Sequence, residues 1–73
     1  MTNRKKAFQE IDWNCRSAVL LMITASHAAG AAKTVHPVRQ AAHAKLVIEA
    51  IENAMLALAE ARNEAEKLCA LAK

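Results

Sequence analysis

The stretch Ala18 to Ala25, AVLLMITA, decides how this chain is read. Apart from Thr24 it is apolar in every direction around a helix. A helix lying on a surface carries one apolar stripe, whereas one that is apolar all round is covered on more than one side. The stretch therefore predicts a helix that packs against its own chain on one face and against something else on another.

The surroundings support a helical reading. The 73 residues include one Gly, one Pro and no Tyr, and Ala recurs throughout. Ala has the highest helix propensity, and no run of alternating β-branched residues proposes a strand. Outward from Ala18, apolar residues fall at Phe8, Ile11, Cys15, Ala18, Met22, Ala25, Ala29 and Ala32. This alternation of three and four predicts a heptad seam. Thr2 or Asn3 is expected to cap the helix. Arg4, Lys5 and Lys6 then occupy its first turn, the unfavourable end of the helix dipole for positive charge.

The segment Ala31 to Pro37, AAKTVHP, closes this helix and opens the next. Proline disfavours a helical residue before it and is itself welcome at the first helical position. The second seam reads Ala44, Val47, Ile51, Ala54, Leu58, Ala61, Ala65, Leu68 and Ala72, widened by Ile48, Met55 and Cys69. Its far side, from Glu49 and Glu52 through Glu60, Glu64 and Lys67, is an ordinary solvated face. The expected organisation is one domain over residues 1–73, with helix 1 over about 3–32, a turn over 33–36 and helix 2 over about 37–71. A connection so short forces antiparallel neighbours. The fold class is all-α, an antiparallel helical hairpin that dimerises into a four-helix bundle with helix 1 at its centre.

The second stripe of helix 1 motivates the dimer. Trp13, Leu20 and His27 recur every seven residues on the side away from the seam, with Arg16 and Ile23 beside them. Trp and Arg are enriched in interface hot spots. This stripe is either the dimer core or a site for another protein. Leu46 and Leu56 interrupt the polar side of helix 2 and mark a second candidate partner surface.

Charge is unevenly distributed. Residues 1–45 carry a net +5 and residues 46–73 a net −2. A hairpin turning near residue 35 sets Arg4 to Lys6 against Glu64 and Glu66, and Arg62 level with Phe8 and within reach of Asp12. Excess positive charge then collects at the turn end, where Lys33, His36, Arg39, His43 and Lys45 form a candidate anion-binding patch. No aromatic residue accompanies them, although nucleic-acid modules usually pair basic groups with stacking rings.

No catalytic constellation is expected: there is no glycine-rich phosphate loop, no nucleophile with a base at suitable spacing and no pair of buried carboxylates. His36 and His43 lack further ligands at a recognised metal spacing. Neither cofactor nor metal is therefore expected. Ser17 to Ala32 lacks charge but is too short and too rich in Ala, Ser and Gly for a membrane span. The basic start is followed by Glu10 and Asp12 instead of an apolar run, so no secretory leader is expected. Cys15 and Cys69 are expected at well-separated heights and unpaired, which fits a reducing cytoplasm.

The expected architecture resembles the Rop family of plasmid-encoded regulators, short helical hairpins that dimerise into a bundle and bind paired RNA loops. The resemblance spans most of the chain as architecture and carries no residue across. It implies a nucleic-acid-binding reading that uses the basic turn end. The primary expectation is a non-enzymatic protein-binding module, a dimeric inhibitor or adaptor of a larger host regulator, by analogy with phage and plasmid accessory proteins. A structural assembly subunit is the third reading.

Overall fold

The structure, a computed structural model, describes residues 2–71, with side chains described over 4–71. It is an antiparallel hairpin of α1 (Thr2–Ala32) and α2 (Pro37–Leu71), with no strand among the described residues. The all-α hairpin expected from periodicity is thus the observed fold. The cap expected at Thr2 or Asn3 and the seam position at Ala72 fall outside the described side chains.

The connection is built by local hydrogen bonding. The Lys33 and Thr34 amides donate to the Gly30 and Ala31 carbonyls at 3.3 and 3.2 Å, and Thr34 Oγ1 donates to the Ala31 carbonyl at 3.1 Å. Pro37 opens α2 at the position that needs no amide donor. His36 caps it: the Val38 amide donates to His36 Nδ1 at 3.2 Å, which satisfies a donor that the first turn leaves free. Gln40 Nε2 reaches back to the Ala32 carbonyl at 3.1 Å and so joins the start of α2 to the end of α1.

The contact between the helices is lined with small side chains. The most completely buried residues are Ala18 and Ala25 on α1 and Ala50, Ala54 and Ala61 on α2. Ala7, Ile11, Asn14, Leu21, Ala28 and Ala32 are half-buried along α1, as are His43, Val47, Ala57, Glu64 and Leu68 along α2.

This contact corrects the seams read from the sequence. Ile11, Ala18, Ala25, Ala32, Val47, Ala54, Ala61 and Leu68 belong to both versions. Phe8, Cys15, Met22 and Ala29 were expected beside the first four, yet they are exposed, and Ala7, Asn14, Leu21 and Ala28 take their place. On α2 the exposed Ala44, Ile51, Leu58 and Ala65 give way to His43, Ala50, Ala57 and Glu64. Each helix is rotated by about 50° from the expected facing. Two helices approach most closely where their side chains are smallest, and close approach maximises backbone contact. Ala7, Ala50 and Ala57 therefore replace Phe8, Ile51 and Leu58, which are displaced to one flank, and the same rotation carries Asn14, His43 and Glu64 into the contact.

Such a core is thin. Burying an Ala methyl contributes about 0.8 kcal/mol, so the five buried alanines together supply only about 4 kcal/mol. The molecule is a rod, 55 × 15 × 12 Å in its Cα extents. Its radius of gyration is 16.6 Å, against about 11 Å for a compact chain of this length.

Among the described residues no ion pair bridges the hairpin. The pairs there join Asp12 to Arg16 at 3.1 Å, Arg62 to Glu66 at 2.9 Å and Glu64 to Lys67 at 3.4 Å, each within one helix. The pairing expected between the basic first turn and Glu64 or Glu66 does not form, and Arg62 turns along its own helix rather than toward Phe8 or Asp12. Side chains one helical turn apart are already neighbours, and so outcompete partners across the hairpin.

A candidate protein-binding surface

The rotated contact gives the rod two unlike flanks. In an antiparallel pair, the positions bordering the contact on one side belong together from both helices. One flank carries Phe8, Val19 and Met22 from α1 with Ile48, Ile51, Met55 and Leu58 from α2, all exposed. A shallow groove on this side runs from Ala29 across His43 and Ala44 to Ile48. The opposite flank is polar along its middle, where Glu10 and Asn14 share a groove with Glu60, Asn63, Glu64 and Lys67.

The Trp13 stripe sits at the outer edge of this polar flank and on the back of α1. Trp13 is 70% exposed and Leu20 65% exposed, with Ile23 and His27 also at the surface. Arg16 lies beside them and its Nε bonds to Asp12, which holds the guanidinium along the helix. Cys15, Arg16, Val19 and Leu20 line an open apolar depression on α1. Within this stretch Thr24 Oγ1 donates to the Leu20 carbonyl at 3.1 Å, so its hydroxyl does not interrupt the apolar character.

Leu46 and Leu56 are exposed on α2. Their helical positions turn them toward the same polar flank that Trp13 and Leu20 edge. Leu56 stands near the height of Leu20, as the groove joining Glu10 and Asn14 to Glu60, Asn63 and Glu64 fixes. Two surfaces that were separate in the sequence therefore share one side of the rod. Periodicity alone could not show this, because it requires knowing which faces the two helices turn toward each other.

Two of the five turn-end residues are engaged in local hydrogen bonds. His36 Nδ1 is occupied by the Val38 amide, and His43 Nδ1 donates to the Arg39 carbonyl at 3.0 Å. Lys33, Arg39 and Lys45 are exposed; Lys33 lies in the turn, and Arg39 and Lys45 are set about 120° apart around α2. No cluster of three potential metal ligands occurs among the described residues. Cys15 and Cys69 are free and exposed, and for Cys15 this corrects the expected place in the seam. No helix is long and apolar enough to cross a membrane, among the described residues. Comparisons with protein-family models, with curated proteins and with solved structures find no match.

Proposed function

We propose that the protein is a dimeric protein-binding module that acts by occluding or holding a larger partner, as an inhibitor or adaptor does. The observation that carries this reading is the pairing of Trp13 and Leu20 with Leu46 and Leu56 on one side of the rod, all four largely exposed. An exposed indole flanked by Leu and Arg is the composition of an interface hot spot. The polar groove between the two edges supplies the hydrogen-bonding middle that a partner surface also needs. The free cysteines suit work in a reducing cytoplasm. The separation of Arg39 and Lys45 around α2 favours this reading over nucleic-acid binding, which needs cations that converge on neighbouring phosphates.

The test is retention of a partner from host extract by the immobilised chain, compared across variants. Leu20→Glu and Leu56→Glu should each lose the partner that the wild type retains, while circular dichroism and mass stay unchanged. Trp13 emission should move to the blue when that partner is added. A Trp13→Ala chain that falls apart into monomers would assign Trp13 to the dimer core and refute its role here. Binding to nucleic acid that weakens steeply with salt and is abolished by Arg39→Glu with Lys45→Glu would transfer the function to the turn end.

A further inference from the structure

The structure assigns the apolar flank, Phe8, Val19, Met22, Ile48, Ile51, Met55 and Leu58, to a second copy of this chain, packed about a two-fold axis that runs along the helices. The inference rests on the reading above that the protein works as a dimer, and deepens it by naming the face.

Area is the first argument. The hairpin exposes 5940 Å², while a compact monomer of 7.9 kDa exposes about 4,400 Å². The excess is about 1,500 Å² per chain, which doubled lies in the range of obligate homodimer interfaces. The seven side chains alone expose on the order of 700 Å², close to the ~800 Å² per partner of a stable interface.

Pattern is the second. A helix facing the centre of a four-helix bundle is apolar at three positions in seven. Both helices approach that rule: the two positions used within the chain are mostly Ala, with Asn14, His43 and Glu64 as the polar exceptions. In both, the third position mixes small residues with large exposed ones: Phe8 and Met22 on α1, Ile51 and Leu58 on α2. One hairpin uses two of the three positions and leaves the third for a facing layer.

Charge selects the axis. A two-fold along the rod lays α1 of one copy over α2 of the other, antiparallel and at equal height. Asp12 and Arg62, both on the outer edges of the apolar flank and at similar heights, then meet between copies, and Val19 meets Met55. A two-fold across the rod would instead set Arg62 over Ile48 and Asp12 over Ser26. In the single chain both charges are held only by exposed bonds to Arg16 and Glu66.

The experiment uses the purified full chain without any partner, so it stands or fails independently of partner capture. Sedimentation equilibrium should give a dimer. Ile51→Glu and Met55→Glu should raise its dissociation constant at least tenfold, while Leu20→Glu and Leu56→Glu leave it unchanged. Because a glutamate on this flank can also abolish folding, a second measurement leaves the flank intact. In a Cys15→Ser, Cys69→Ser background, Asp12→Cys with Arg62→Cys should form a covalent dimer on mild oxidation. A monomeric wild type overturns the proposal, as does a dimer that survives Ile51→Glu and Met55→Glu but is lost with Leu20→Glu. A dimer sensitive to Ile51→Glu in which the cysteine pair does not cross-link overturns the axis and keeps the face.

Discussion

Replacing Ala50 with leucine separates the observed helix contact from the one that periodicity suggests. Ala50 is 5% exposed and lies in the alanine-lined contact, next along the seam from Ala54 at 4% and near the height of Ala25 at 9% on the facing helix. Leucine adds three carbons. If the contact had room for them, burial at about 0.8 kcal/mol per carbon would stabilise the chain by about 2 kcal/mol. It has none, since the helices close on the methyl groups themselves. The added carbons must force the helices apart or adopt a strained rotamer, at a cost of about 1–3 kcal/mol. For a domain of this size that lowers the melting temperature by about 5–20 °C. The assay is thermal unfolding followed by circular dichroism, with all variants at one chain concentration because assembly shifts the midpoint. Ala59→Leu, on the exposed side of α2, is the control and should stay within about 0.5 kcal/mol of wild type. An Ala50→Leu chain as stable as wild type, or more so, would refute the alanine contact and return Ile51 and Leu58 to the seam.

Two further substitutions test the ends of the helices. Gly30 lies inside α1 without a positive φ, and a Cβ built there meets nothing within 4 Å, so Gly30→Ala should stabilise the chain by about 0.4–1 kcal/mol in urea unfolding. A loss of stability would show that the glycine is needed for an approach made only in the assembled state. His36→Ala should cost about 1 kcal/mol by removing the acceptor for the Val38 amide, and His36→Asn should restore most of it, since asparagine is a strong cap. Equal stability of the two variants would show that the ring acts by packing instead.

Helix positions were legible because their determinants are local. Ala-rich composition, Lys33 near the end of α1 and Pro37 at the start of α2 each act within one turn. The facing of the helices was not legible. Where Ala and larger apolar residues alternate, the pairs Ala18–Leu21 and Ala18–Met22 both satisfy a three-four rule. Only the space between two real helices distinguishes them, and on α2 it brings in Ala50 and Ala57 rather than Ile51 and Leu58. The same ambiguity hid the candidate site. Phe8, Met22, Ile51 and Leu58 read as core in the sequence and are exposed in the hairpin. Leu46 and Leu56 read as a separate second surface, and are brought to the side that Trp13 edges.

The misassigned residues explain the chain's economy. A contact made by Ala18, Ala25, Ala50, Ala54 and Ala61 sets the hairpin's geometry closely but contributes little burial. Had Met22 and Leu58 filled the seam, the hairpin would have been sturdier alone and would have presented nothing to a facing layer. With alanine inside, the large side chains of both helices are left on one flank and a second group on the other. A chain of 73 residues can then carry two separate exposed apolar faces, the two that the proposals above assign, because so few of its large apolar residues are used in folding.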